Sequence, residues 1–594
     1  MQLQRYGPAV LKRRTTQCLA GRAIASPPHS HSLLSPRCSA LLASRGRRFA
    51  STAGPERVAV LGGGIAGLAS AYFTAKEFPE SKVTLFESAG NVGGWIKSRR
   101  VDVGEGNALF ELGPRSLRNS TVTASLIQEL DLIDEVLFTE KTAPGAKNRF
   151  IFYPDRLNRL PSEAPSLSSL FDLWRTGILS GAFGLIKEPM MPSRPSLLSD
   201  ESVGAFLARR VDKRIADNIV SAVFHGIYAG DVWNLSAKTL LSLAWQLEGK
   251  YGSALGGFFK LQSEDEGKGQ LTIAHPRDVE VARSMNEEID LDEDFASELK
   301  DASMYTFRNG LQTLVTGLTE RLEEMGVEIK TNTPVQTFKP ASSGEKGVEI
   351  VAGPPDSTTT QTFDLAISSL RNPDLTPYVT VQTVNLYFAT PPASLLPVQG
   401  FGYLIPQSIP FEQNPERALG VIFDSSAIVG QDTAPGTKLT IMMGGHWWDG
   451  WAAYPTEEEG LAMARAVLKR HINITEEPVH SIVNLSHECI PQYTVGYEDR
   501  LRDFADGIAS EFKGRLRVVG SQFNGVGVND CITGAWNVAR GLRGEGWKGD
   551  SVGLERVRDR REWVKVAARE MVWSGRGSIK GAVGGGRGGI GGGV

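Results

Sequence analysis

The 594-residue chain is too long for one ordinary hydrophobic core, so two or three packed domains are expected, and 41% hydrophobic with 22% charged residues is the usage of a soluble globular protein. The formal net charge of −3 hides an asymmetry. Residues 1–52 carry nine positives (Arg5, Lys12, Arg13, Arg14, Arg22, Arg37, Arg45, Arg47, Arg48) and no acid, so the rest of the chain stands at −12 and nucleic acid is not an expected partner.

That head is rich in Arg, Ser and Ala, the makeup of a mitochondrial transit peptide, and Arg47-Arg48-Phe49-Ala50-Ser51 reads as its processing site. The plainer alternative is a basic extension with no address. A secretory signal fits worse, because no uninterrupted apolar stretch follows the early charges. Cys18 and Cys38 lie in the head, which leaves Cys489 and Cys531, too far apart in sequence for a disulfide framework or a zinc spacing. No run of about 18 uncharged apolar residues predicts a membrane span. The best candidate, Leu167 to Ile186, is broken by Asp172 and Arg175 but suits a membrane surface.

Arg57-Val58-Ala59-Val60-Leu61 predicts a buried strand that runs into the loop Gly62-Gly63-Gly64-Ile65-Ala66-Gly67. Helical periodicity follows from Ala66 to Phe78, then a second strand, Lys82 to Glu87. Together these make a βαβ opening. Residues 121–137 pattern as an amphipathic helix. From 148 to 300 helices and loops are expected, with a Pro-rich stretch at Pro189–Pro195 and an acid-rich segment, 264–298, that has the composition of a disordered surface insertion. A helix is predicted from about Phe307 to Met325, then strands at Val327–Lys330, Pro334-Val335 and Phe363–Ser368. Residues 380–450 alternate as an antiparallel sheet would. Gly575 to Val594 is mostly glycine and reads as a disordered tail.

The glycine loop carries the first chemistry. Gly62 permits the tight turn, Gly64 lets the backbone approach a pyrophosphate, and Gly67 lets helix and strand pack closely, while the helix N-terminus offers unpaired N–H groups to phosphate. Glu87, at the end of the second strand, is placed to accept a hydrogen bond from a ribose hydroxyl and argues against a 2′-phosphate. Alone, the loop permits NAD as readily as FAD. The nearby pair Gly93-Gly94 is the flavoenzyme-like addition.

Several segments then resemble the protoporphyrinogen oxidase family. These are Gly93-Gly94-Trp95-Ile96, Phe110-Glu111-Leu112-Gly113-Pro114-Arg115-Ser116, Asn148-Arg149-Phe150, Leu396–Gly402, Met442-Met443-Gly444-Gly445, Cys489–Thr494 and, most distinctively, Asn524-Gly525-Val526-Gly527-Val528-Asn529-Asp530-Cys531-Ile532. The likeness spans about 57 to 542. It implies an α/β fold: a Rossmann-like FAD-binding domain, an antiparallel-sheet substrate domain and a helical membrane-contact domain. In chain order the expected division is 54–147, 301–372 and 481–545 for FAD, 148–300 for the helical region, 373–480 for substrate and 546–594 for a C-terminal extension.

The resemblance implies FAD contacts at Gly62, Gly63, Gly64, Ile65, Ala66, Gly67, Glu87, Ser88, Trp95, Gly113, Pro114, Arg115, Ser116, Val335, Val526, Gly527 and Val528. Arg115 is expected to order its loop rather than hold substrate. For the substrate, protoporphyrinogen IX, it implies a propionate-binding Arg149 and a ring slot lined by Phe401, Gly402, Leu404, Met442 and Ile490; core packing explains the apolar residues equally well. It further implies hydride transfer to the flavin, molecular oxygen as acceptor, hydrogen peroxide as product and a peripheral place on the inner mitochondrial membrane, with oligomeric state open and a homodimer included. No general base is called for. His446 reads as a packed histidine, and His487 with Cys489 lacks the further ligands of a metal site. An amine oxidase or desaturase, and a lipid-binding escort protein that uses no flavin, are the competing readings. The segment 264–298 and everything after about 545 have no counterpart in the resemblance.

Overall fold

A computed structural model describes residues 54–161, 173–264, 270–342 and 347–572. The expected transit peptide, Leu167–Asp172, Trp573 and the glycine tail lie outside the described residues. The apolar run Val58–Leu61 is buried on both faces, as the middle of a parallel sheet requires, and forms β1 (Arg57–Leu61). The helix α1 (Ile65–Glu77) and the strand β2 (Lys82–Phe86) complete the expected βαβ unit. Five parallel strands make this sheet, in the order Glu328–Lys330, β2, β1, Leu365–Ser368, Leu516–Val518. The last helix of the unit, α2 (Val528–Gly544), packs with α1 in one apolar cluster on one face of the sheet. Small residues make that approach close: Ala66, Ala69 and Ala71 on one helix, Ala535 and Ala539 on the other. The opposite face is covered by the helix Tyr497–Phe512 and by the three-stranded sheet that includes Val335–Pro340.

A second sheet of seven strands runs His480–Pro491, Tyr378–Phe388, Thr437–Gly444, Ala418–Ile422, Gly402–Leu404, Arg149–Phe152, Leu157–Leu160. Five of its six strand pairs are antiparallel in the expected way, but Gly402–Leu404 pairs parallel with Arg149–Phe152. The sheet therefore reaches past the expected 373–480 span at both ends. Residues 149–160 were expected in the helical region, and 481–490 in the third flavin segment.

Three local expectations change. The expected helix 121–137 stops at Glu129, and Val136–Glu140 is a strand paired with Ala302–Phe307. The helix expected from Phe307 begins at Gln312. The acid-rich segment is ordered where described: Leu271–Ala274 is a strand, and Pro276–Glu288 and Glu293–Asp301 are helices whose Asp and His N-caps satisfy their first N–H groups. Its order comes from the C-terminal extension, where Val564–Ala567 is a strand that pairs antiparallel with Leu271–Ala274. Opposite charges line this junction: Arg556 meets Asp278 at 2.8 Å, Arg561 meets Glu280 at 2.9 Å, and Arg543 meets Glu288 at 2.6 Å. Composition registered the acids but not their distant basic partners.

Candidate flavin and substrate site

The loop after β1 is built for an anion. Gly62 sits at φ +99°, open only to glycine without strain, and a Cβ on Gly67 would stand 1.8 Å from the Gly62 carbonyl oxygen. The first hydrogen bond of α1 runs from the Leu68 N–H to the Gly64 carbonyl at 2.9 Å, which leaves the N–H groups of Ile65, Ala66 and Gly67 free within the helix. No side chain caps this end and no acid lies in its first turn, so its positive end is unneutralised. Gly64 bridges to Gly93, and a Cβ there would meet nothing closer than the Gly94 Cα at 3.9 Å. That open cradle, beside free N–H groups, fits a pyrophosphate.

Glu87 is held at the end of β2 by the Gly63 N–H (2.7 Å) and the Ala89 N–H (2.7 Å), with the Ser88 hydroxyl at 3.1 Å. Its carboxylate is thereby fixed where a ribose would lie; Oε1 accepts both the Ala89 N–H and the Ser88 hydroxyl, and Oε2, which accepts from Gly63 alone, keeps a second lone pair for a hydroxyl. Val335 opens its strand opposite Ala352 and packs with the cluster below β2.

The far wall arrives from the C-terminal end. A Cβ on Gly520 would lie 3.7 Å from the Ala66 Cβ, so this segment closes over the start of α1. Gly525 takes φ +129°, Val526 joins the cluster on one sheet face, and Gly527 precedes the first residue of α2, Val528. α2 thus presents a second helix N-terminus at the carboxyl ends of the parallel strands, the place where open α/β sheets bind nucleotides. Asp530 accepts a hydrogen bond from the Gly527 N–H at 3.1 Å, and burial pushes its carboxyl above the usual range.

Between the walls, Trp95 is largely exposed and its carbonyl oxygen would stand 2.0 Å from a Cβ on Gly113. Pro114 and Ser116 continue that loop, half-buried. Arg115 turns away from the crevice: its guanidinium is buried against Asp424 at 2.5 Å, and Asp424 also accepts from the Thr440 hydroxyl at 2.7 Å. The Arg115 side chain is thus tied to Asp424 on the side of the seven-stranded sheet, which orders the loop that carries it.

The residues expected at the substrate share one face of the seven-stranded sheet. Arg149 lies in register with Gly402, and Leu404 two residues on faces the same way. Phe150, Tyr403 and Met443 point into the opposite core. Phe401 packs with Met304, Ile422 and Met442, and Met442 also joins Ile490, Ala229 and Val379. Gly402 cannot carry a side chain, since a Cβ would meet the Val421 carbonyl oxygen at 2.1 Å. Leu404 stands apart from Met442 and Ile490, packed with Ile151, Leu173 and Ala222 of the helical region. The Arg149 guanidinium lies 5.7 Å from the Phe401 ring centroid and has no carboxylate partner among the described residues. Sequence reasoning missed Met304, Ala229 and Asp424, none of which carries a pattern of its own.

His446 is packed beneath this face. The His225 Nδ1–H donates to the Ile405 carbonyl (2.6 Å), so its Nε2 accepts from His446 Nε2 at 2.9 Å. Burial holds both rings neutral, with pKa values lowered to about 3 for His225 and about 4 for His446. His487 packs edge-on against Tyr454, and among the described residues no group of three or more His, Cys, Asp or Glu could hold a metal. A cavity of about 1340 Å³ opens on the other side of the flavin segment, between Tyr228, Tyr493, Phe523, Asp530 and the junction of the insertion with the C-terminal extension. It contains none of the expected substrate residues.

Two glycine-walled helix N-termini and an anchored ribose acid define a dinucleotide-dependent enzyme, and the match to known proteins gives the class. A family model described as flavin containing amine oxidoreductase covers residues 65–543, and the chain belongs to that family: it is an oxidoreductase with the α/β fold of the flavin amine oxidases and FAD as its cofactor. More particularly, the chain is similar to the protoporphyrinogen oxidase of Schizosaccharomyces pombe, 32% identical over 508 residues that cover 82% of this chain and 98% of that protein. It is 26% identical over 503 residues to the coproporphyrinogen III oxidase of Bacillus subtilis, covering 81% and 96%. Among solved structures, a provisionally named protoporphyrinogen oxidase from Exiguobacterium sp. 255-15 superposes with a TM-score of 0.60 at 19% identity, over 82% of this chain and 99% of that one.

Proposed function

We propose that this protein oxidises protoporphyrinogen IX to protoporphyrin IX, with molecular oxygen as acceptor and hydrogen peroxide as the reduced product. The observation that carries the reading is Arg149, a guanidinium without an acidic partner among the described residues, at the edge of the apolar face formed by Phe401, Met442 and Ile490. A flat hydrophobic macrocycle with carboxylate arms calls for this pairing of an apolar slot with a rim cation. The similarity to the Schizosaccharomyces pombe protein supports the same substrate.

Bound FAD would supply the two-electron acceptor for the porphyrinogen, with molecular oxygen as the final acceptor. Three rounds remove six hydrogens, so one protoporphyrinogen and three oxygen molecules give one protoporphyrin and three hydrogen peroxide. The chain's own part is positioning and exclusion of water: the N-terminus of α1 would hold the pyrophosphate, that of α2 would face the far end of the cofactor, and the sheet face would hold the ring. No side chain is assigned as general base.

A peripheral membrane site, that of the inner mitochondrial membrane, completes the proposal. Phe183, Ile186, Met190 and Leu197 are 70–96% exposed along one short stretch, and no helix among the described residues is long and apolar enough to cross a bilayer. Purified protein loaded with FAD is expected to turn colourless protoporphyrinogen IX fluorescent while consuming three oxygen molecules per porphyrin. Absence of that fluorescence in a flavin-containing preparation overturns the reading. Replacing Phe183, Ile186 and Met190 with Ser is expected to abolish flotation with anionic liposomes; undiminished flotation refutes the membrane site.

A further inference from the structure

Arg118 is a second cation near Arg149: its side chain is exposed, and the backbone that carries it is held in place. The segment that carries it is fixed on every side. Leu117 bridges Tyr305 through two backbone hydrogen bonds of 2.8 Å, and the Arg118 carbonyl accepts from the Asn529 side chain at 2.8 Å. Asn119 reaches the Leu299 carbonyl, and Thr123 meets Asn529 at 2.9 Å. Asn529 is the second residue of α2, so Arg118 is tied to the flavin-binding segment itself.

The same segment borders the substrate face. Tyr305, which bridges Leu117, follows Met304, and Met304 packs with Phe401 and Met442. The Arg149 guanidinium lies over Phe401. Arg118 and Arg149 thus come from two separate segments that converge on the Met304–Phe401 contact. Neither guanidinium has a carboxylate, carbonyl or side-chain acceptor among the described residues. Arg149 keeps an exposed flank, yet the surrounding protein removes part of its water and, with the charge of Arg118, holds its pKa below the usual arginine value. Among the described residues no counter-charge lies between the two like charges, and the anions of a ligand would supply one.

We infer that Arg118 and Arg149 form a two-guanidinium clamp that takes two carboxylates of one ligand, which makes Arg118 a determinant of substrate specificity. The inference rests on the proposed function and deepens it, since protoporphyrin IX carries its two propionates on adjacent rings along one edge. A single arginine would tolerate a ligand with one acidic arm; the pair demands two.

The test uses the FAD-loaded enzyme, with binding of protoporphyrin IX and of its dimethyl ester read by quenching of protein fluorescence. Arg118→Met is expected to weaken binding of the diacid at least tenfold and to leave binding of the dimethyl ester within twofold of wild type; Arg118→Lys is expected to recover part of the loss. Equal weakening toward both ligands shows a merely structural role and overturns the clamp. Unchanged diacid binding in Arg118→Met, with wild type active on the porphyrinogen, overturns the clamp alone. A wild type that neither binds porphyrin nor oxidises the porphyrinogen overturns the parent reading as well.

Discussion

Alanine at Gly64 separates what the glycine loop does for the fold from what it does for the cofactor. Gly64 has φ −70° and ψ 176°, a conformation any residue adopts, and its added Cβ would be 3.9 Å from the Gly94 Cα, an ordinary contact. Gly64→Ala therefore meets no clash in the apoprotein: the gain of about 0.4–1 kcal/mol from a less free unfolded chain is offset by a similar loss because alanine is a poorer N-cap than glycine, so little net change in stability is expected. The new methyl does occupy the cradle beside the Ile65, Ala66 and Gly67 N–H groups. A pyrophosphate pushed out by a methyl group's width loses at least one hydrogen bond to a charged oxygen, worth about 1.5–3 kcal/mol, which weakens FAD binding by about 10- to 150-fold. Gly67→Ala makes the contrast: its methyl would collide with the Gly62 backbone, so the apoprotein itself must suffer. The assay pairs FAD titration, read by loss of free-flavin fluorescence, with thermal unfolding of the apoprotein. An unchanged FAD Kd in Gly64→Ala, or a fall in apoprotein Tm as large as that of Gly67→Ala, refutes the reasoning.

Arg149→Ala is expected to raise the KM for the porphyrinogen about tenfold or more while FAD content stays normal; loss of flavin absorbance in that variant contradicts a substrate role. Asp424→Ala leaves the Arg115 guanidinium buried and unpaired, so a loss of about 3–5 kcal/mol is expected in urea unfolding, and a loss under about 1 kcal/mol refutes the buried pair. Stability is expected to fall on acidification. His225 has its pKa lowered to about 3, and His446 and His471 to about 4, all by burial, so below the unfolded histidine value of about 6.5 the unfolded chain takes up three protons that the native state refuses. Glu111, raised to about 7 by burial, acts oppositely between about pH 4.5 and 7, because there the native state holds the proton. The net of about two protons gives a slope of about 2.7 kcal/mol per pH unit near pH 5.5; a flat stability profile from pH 6.5 to 5 excludes this account.

The parts legible in sequence were those fixed by short-range pattern. β1, the glycine loop, α1 and β2 follow from an apolar run, glycine spacing and helical period within about thirty residues, and each lies where expected. Strand alternation correctly put Gly402 and Met442 in a sheet, yet could not reveal that Arg149–Phe152 pairs parallel with Gly402–Leu404, because that register depends on a partner some 250 residues away. The acid-rich insertion misled for a related reason. Glu264, Asp278, Glu280 and Glu288 look like solvated charge until Lys565, Arg556, Arg561 and Arg543 are brought opposite them. Leu404 shows the limit of face assignment: alternation gives the correct side of the sheet, but the helical region decides which neighbours cover it.

The parallel sheet described above has a consequence for how the cofactor is acquired. Its five strands come from residues 57–61, 82–86, 328–330, 365–368 and 516–518, and the wall at Gly520–Val528 follows the last of them. A ribosome adding about 5–20 residues per second needs roughly half a minute to a minute and a half to travel from the first glycine loop to the second. Throughout that interval the growing chain displays half a binding site, with exposed N–H groups and nothing to close over them. FAD is therefore gripped only after synthesis has passed α2. Loading of the flavin belongs to the last stage of folding, and the late closure of long-range strand pairs makes that stage slow.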